Sequence, residues 1–247
     1  MLHELDNPRA AAHLFDGREE TFIHSALSGI MGKISVTDSL NPRSAAASVG
    51  CFHLFAGEPN RELLSLKRSG FSIFVPLSNN WSTLIEKCLP AAKKVTRYAF
   101  YKDTEFDIKQ LTEIKNSLPG GYFFRAIDSE IYDLCLKEPQ LADFVSAFGS
   151  KGAYLSFGRG VVVMKGGKIV SGASSFSSYP GGIEIEVDTI PEERRRHLAL
   201  SASAALILKC LSDGLYPSWD AQNIPSLRLA EKLGYRFLHA YTAYELE

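Results

Sequence analysis

Val187-Asp188-Thr189-Ile190-Pro191-Glu192-Glu193-Arg194-Arg195-Arg196-His197-Leu198-Ala199 takes the chain from a strand through a cationic turn into a helix. Just upstream, Ile183-Glu184-Ile185-Glu186-Val187 alternates with the period of a strand that has two chemically different faces. The strand reads from Gly182 to Thr189. From Arg196 to Asp213 the chain is helical and almost entirely apolar or small, with Ala199, Ala202, Ala204, Ala205, Leu206, Ile207 and Leu208. A helix with no polar face is buried against a sheet and other helices. Gly214 supplies its left-handed terminator. Arg194, Arg195 and Arg196 stand where the helix dipole disfavours cations. Their placement suggests an anion held at the unpaired N–H groups of the first turn; the competing reading is a solvated charge cluster at a helix start.

Downstream, Tyr216 to Asp220 has the length of a buried strand. Asn223-Ile224-Pro225-Ser226 opens a second, amphipathic helix, Ile224 to Leu233, with Asn223 as N-cap and Gly234 as its end. Tyr235 to Leu246 closes the chain as a strand or strand pair. Upstream, Tyr122 to Ile127 reads as a strand, and Ile131 to Leu136 and Leu141 to Phe148 as helices. Gly160 to Met164 and Lys168 to Ala173 are strands joined as a hairpin by Gly166-Gly167. The first half reads as α/β. Helices are expected at Arg9 to Phe15, Glu20 to Leu27, Arg61 to Leu66, Ser82 to Cys88 and Phe106 to Ser117. Strands are expected at Lys33 to Thr37, Ser48 to Phe55, Phe71 to Pro76 and Lys94 to Lys102. The breaker cluster Ser117-Leu118-Pro119-Gly120-Gly121 is the boundary candidate, giving domains 1–118 and 119–247. No internal sequence repeat is visible.

With 247 residues, 45% of them hydrophobic, the chain can bury one large core or two modest ones. A net charge of −1 excludes a globally basic nucleic-acid surface. No run of 18 apolar residues suggests a membrane span. The N-terminus Met1-Leu2-His3-Glu4-Leu5-Asp6 lacks a leader pattern, and Cys51, Cys88, Cys135 and Cys210 are scattered, so a cytoplasmic protein with free thiols is expected. The six histidines show no metal spacing. Gly158-Arg159-Gly160 lacks the third glycine of a dinucleotide loop, and neither a Walker lysine pattern nor a nucleophile elbow is present.

The turn Arg194-Arg195-Arg196-His197-Leu198-Ala199 is similar to the phosphate-binding Arg/Gln-x-x-Gly-x-Gly/Ala pattern of the GNAT superfamily of N-acyltransferases. Asn223, Ser226, Leu229, Lys232, Leu233, Gly234 and Tyr235 resemble its second motif. Ile183 to Thr189 with Pro217-Ser218-Trp219-Asp220-Ala221 further resembles a branch containing zwittermicin-A-resistance acetyltransferases. That branch carries an extra N-terminal domain with stretches like Met31-Gly32 and Ala56-Gly57-Glu58-Pro59-Asn60. The resemblance implies a mixed, largely antiparallel C-terminal sheet flanked by helices, preceded by an N-terminal α/β domain. It implies acetyl-CoA as co-substrate, no metal, and transfer of an acetyl group to an amine of a small molecule or peptide-like metabolite by direct attack. The implied partner is that small-molecule amine, with neither nucleic acid nor membrane, and a homo-oligomer is allowed.

Coenzyme A offers a pyrophosphate, a 3′-phosphate and a pantetheine arm with two amides. The resemblance assigns the pantetheine to the strand end Val187, Asp188 and Thr189. It assigns the pyrophosphate to Arg194, Arg195, Arg196, His197, Leu198 and Ala199, with Asn223 and Ser226 opposite. His197 departs from the pattern's glycine. Glu184 and Glu186 are the candidate general bases; the competing assignment is an exposed sheet face, because alternation sets both opposite Ile183 and Ile185, unless a bulge reverses one of them. Many members place a general-acid Tyr where this chain has Ala230, which leaves Tyr179, Tyr216, Tyr235 or Ser226. The departures at His197 and Ala230 also admit a non-catalytic acyl-CoA sensor. The acceptor's identity, and acetyl against longer acyl donors, stay open.

Overall fold

The computed structural model describes residues 2–66 and 70–247; Met1, the first residue of the N-terminal stretch read above, lies outside the described residues. Packing divides the chain into two compact units, residues 1–97 with 240–247, and residues 98–239. In chain order the elements are β1 (His3–Glu4), α1 (Thr21–Ser28), β2 (Lys33–Val36), β3 (Ser44–Val49), β4 (Phe52–Gly57), β5 (Ser72–Pro76), α2 (Asn79–Cys88) and β6 (Lys93–Phe100). They continue with α3 (Ile108–Asn116), β7 (Phe123–Ala126), α4 (Ser129–Lys137), α5 (Lys151–Phe157), β8 (Gly160–Lys165), β9 (Lys168–Tyr179) and β10 (Gly182–Thr189). The last are α6 (Leu198–Ser212), β11 (Tyr216–Ser218), β12 (Asp220–Ala221), α7 (Ile224–Lys232) and β13 (Phe237–Leu246). The class is mixed α/β, with two largely antiparallel sheets flanked by helices. The Ser117–Gly121 cluster falls inside the second unit, between α3 and β7, because Leu111 and Ile114 of α3 pack into the same core as α6.

Most expected elements are present, and the differences have local causes. The single strand expected from Ser48 to Phe55 is a hairpin: β3 and β4 pair up to Val49 and Phe52 and reverse at Gly50, whose φ of 56° permits the turn. Both strands are buried almost throughout, so no alternation marks where one stops. The helix expected over Leu141 to Phe148 is two 3-10 turns, Ala142–Phe144 and Ser146–Phe148, closed by Gly149. The unexpected α5 is capped by Ser150, which accepts from Ala153 N–H at 3.2 Å.

In the second unit the strand order is β11-β10-β9-β8-β7. On one face α6 supplies Leu198, Ala202, Ala205, Leu206 and Cys210 to a core with Val161, Val163, Val170, Ile183 and Ile185, joined by Phe100 and Leu111. Each buried aliphatic side chain there contributes about 1.5–3 kcal/mol of transfer free energy. The first unit has its own core of Phe55, Leu63, Phe74, Trp81, Ile85 and Tyr244.

The two units repeat one topology. β1 to β5 pair antiparallel three times and then parallel, β4 with β5. β7 to β11 do the same, with β10 and β11 as the parallel pair. Helical segments fall between first and second strands, between fourth and fifth, and after the fifth, in both. The repeats then diverge at the parallel pair. β4 and β5 stay in register from Phe52↔Ile73 to Phe55↔Pro76, and the segment after β4 is a six-residue 3-10 helix, Arg61–Leu66. The corresponding segment after β10 is the 15-residue α6.

Candidate active site

The site begins where β10 loses a neighbour. β10 pairs with β11 only over Gly182↔Tyr216, Ile183↔Pro217 and Glu184↔Ser218. After Trp219 the chain turns to β12, which pairs with β6 instead (Asp220↔Ala99, Ala221↔Tyr98). β10 meanwhile continues against β9 to Thr189↔Ser171. Ile185 to Thr189 therefore run on without a strand on the β11 side, and backbone polar groups at such an edge are available to a ligand's amides.

Next to that edge stands the start of α6. Ser201 is the first helical N–H with a carbonyl partner, His197 O at 3.0 Å. Among the described residues no side chain caps the helix. The preceding N–H groups have no acceptor among the described residues, which is the arrangement that receives an anion. Arg195 and His197 are the two non-glycine residues with positive φ among those described, 63° and 60°. The turn thus adopts the left-handed shape that glycine would take, at a cost of about 1–2 kcal/mol for a residue with a Cβ. Arg194 is tied back, its Nε donating to Thr189 O at 3.0 Å and its guanidinium 3.7 Å from Asp188. Arg196 pairs with Glu193 at 3.1 Å. Glu193 also accepts from Lys165 at 2.6 Å and from Tyr122 at 2.5 Å, and these two hold its carboxyl below the usual range.

A cavity of about 660 Å³ lies between this edge, this turn and α7. Val187, Asp188, Thr189, Arg194, Arg195, His197, Leu198, Ala199, Asn223 and Ser226 all line it; Arg196 is not among its lining residues. Asn223 is the N-cap of α7, accepting from Ser226 N–H at 2.9 Å, so capping and cavity lining coexist in one residue. Gln222, Arg228 and Lys232 also line it. Of these, Lys232 falls on the three-residue spacing Asn223, Ser226, Leu229, Lys232, which sets one helix face toward the cavity.

Glu184 is 3% exposed, and Glu186 is half-buried. The exposed-face assignment therefore fails for Glu184. The irregularity beside it is taken up by β9, where Phe176 is the extra residue between the partners Ser177 and Ser175. Lys102 approaches its carboxylate to 3.9 Å and donates to Ser218 Oγ and, at 3.5 Å, to Trp219 O. Ser177, opposite Glu184 on β9 and fully buried, has a hydroxyl with no partner among the described residues. Lys102 lies 116 residues before Ser218, and no local pattern announces it.

The four proton-donor candidates differ in availability. Tyr235 Oη donates to Pro217 O at 2.5 Å, Tyr216 Oη to Tyr101 O at 3.1 Å, and Tyr179 Oη to Tyr216 O at 3.5 Å. Burial, with the Glu184 charge as a lesser cause, pushes all three phenols above their ordinary range. Ser226 lines the cavity, and its oxygen accepts from Trp219 Nε1 at 3.2 Å, which leaves its own proton to donate. Ala230 is fully buried in the core. Among the described residues no group of three or more His, Cys, Asp or Glu could hold a metal ion, and no helix is long and apolar enough to cross a membrane.

Comparison with known proteins gives the arrangement a family. The GNAT acetyltransferase family model matches residues 12–244. The crystal structure of a GCN5-related N-acetyltransferase-like protein from Streptococcus suis 89/1591 is 44% identical, with a TM-score of 0.93 over 98% of each chain. The uncharacterized N-acetyltransferase YdfB of Bacillus subtilis (strain 168) is 26% identical over 99% of this chain and 98% of its own. A tandem GNAT protein from the clavulanic acid biosynthesis pathway, 11% identical over 100% of this chain and 98% of its own, shares the fold at a TM-score of 0.51. A parallel strand pair that parts beside an uncapped helix, within a chain matched by the family model almost from end to end, makes this protein a member of the GNAT acetyltransferase family and an acyltransferase enzyme.

Proposed function

We propose that the enzyme transfers an acetyl group from acetyl-CoA to an amine of a small molecule or peptide-like metabolite, with Glu184 as general base. The parting of β10 and β11 at Glu184, beside the uncapped start of α6, carries this proposal. The pyrophosphate would rest on the N–H groups from His197 to Leu200, with Arg195 beside it and Arg228 and Lys232 across the cavity. The pantetheine amides would pair with the open edge from Val187 to Thr189. The thioester then comes to the point where the strands separate, next to Glu184. A protonated amine of pKa about 10.4 is neutral in only about 0.04% of molecules at pH 7, a cost of roughly 4–5 kcal/mol that a base offsets. The neutral nitrogen attacks the thioester carbonyl, the N–C bond forms, the C–S bond breaks, and the thiolate leaves and takes a proton. Burial and position at the parting favour Glu184 over Glu186.

We assign this chemistry to residues 119–247 and to the branch resembling zwittermicin-A-resistance acetyltransferases, with 1–118 as its additional domain. Four free thiols accord with a cytoplasmic location. Thiol release from acetyl-CoA, measured over a panel of amines, tests the proposal. With an acceptor in hand, Glu184→Gln is expected to lower kcat about 10²–10⁴-fold while leaving coenzyme A affinity intact, and Glu186→Gln to change it little. Full turnover by Glu184→Gln would remove the assignment.

A further inference from the structure

Resting on the assignment of Glu184 as base, we propose that Lys102 is its positioning residue, an ammonium from outside the 119–247 catalytic segment that holds the carboxylate at the parting of β10 and β11. Glu184 is 3% exposed, and a carboxylate out of water is stable as an anion only if something compensates the lost hydration. Among the groups that face it are three phenols and a cation. Tyr179 on β9, Tyr216 on β11 and Tyr235 after α7 all feel its charge, and their hydroxyls donate to Tyr216 O, Tyr101 O and Pro217 O. Lys102 is the cation, at 3.9 Å. Its ammonium is itself fixed, donating to Ser218 Oγ and Trp219 O. Ser218 is the strand neighbour of Glu184 in the last paired position. One ammonium thus links the final rung of the β10-β11 ladder to the carboxylate beside it.

Removing the cation has a signed consequence. An adjacent positive charge favours the ionised carboxyl and burial favours the neutral one, so losing Lys102 removes a charge that opposes burial and the proton binds more tightly. The base is competent only when ionised, so the acidic limb of activity moves to higher pH.

The test needs no acceptor. Infrared titration of the full-length protein follows the protonated-carboxyl C=O stretch of Glu184, assigned by its loss in Glu184→Gln. Lys102→Met is expected to raise the midpoint by about one pH unit, a tenfold gain in proton affinity. Lys102→Arg is expected to restore it, and Ser218→Ala, which frees the ammonium to move, to raise it by less. Calorimetry of coenzyme A with each variant should give unchanged affinity, which separates this proposal from the cofactor assignment. A midpoint unmoved in Lys102→Met, or an upward move in Lys102→Arg equal to that in Lys102→Met, would overturn it. Should Lys102→Met fail to fold by circular dichroism, an unmoved midpoint in Ser218→Ala overturns it instead.

Discussion

His197 carries the conflict between chemistry and backbone most openly. The related motif has glycine at this position, and the chain keeps the left-handed shape, φ 60°, with a histidine. Histidine tolerates that region better than β-branched residues, for which it is a true outlier. Thermal or urea unfolding should therefore rank His197→Val below the parent by about 1–2 kcal/mol, whereas His197→Gly should lose nothing. A neutral valine would mean that the turn does not hold this shape. From the sequence alone the departure was visible but its conformation was not, because φ at one residue follows from the turn as a whole. Glu184 illustrates the same boundary. Its alternation with Ile183 and Ile185 was legible, yet neither its burial nor its approach to Lys102, which lies far from it in sequence, could be read there.

α6 and α7 were the most readable elements, for physical reasons. An all-apolar run with a glycine terminator specifies a buried helix, and Leu215 N–H indeed closes on Cys210 O at 2.9 Å past Gly214. Asn223 before Ile224-Pro225 specifies a capped start. Since its Oδ1 accepts from Ser226 N–H, Asn223→Ala should cost about 1 kcal/mol in unfolding free energy and also weaken coenzyme A binding. Loss of stability without loss of binding would confine Asn223 to capping. The β3-β4 hairpin shows the opposite case: Ala45, Ala46 and Ala47 are all fully buried, and a strand buried on both faces erases the period that marks its limits.

The duplicated topology lay wholly beyond the sequence, because a sheet order is kept by buried apolar positions that tolerate many substitutions of similar volume. The bulk composition allowed two cores, and the chain has one in each unit. The division at 97/98 follows packing, and the breaker cluster at 117–121 lies within the second of these units. The duplication also sharpens the functional question, since β4-β5 and β10-β11 are both parallel pairs and, of these two, β10-β11 parts early and leads into a long helix. A crystal structure of the full-length protein with coenzyme A decides it. The expected result is one cofactor, its pyrophosphate within hydrogen-bond distance of the N–H groups from His197 to Leu200 and its pantetheine along Val187 to Thr189. A cofactor bound beside β4 and β5, or lodged away from the start of α6, would contradict the account.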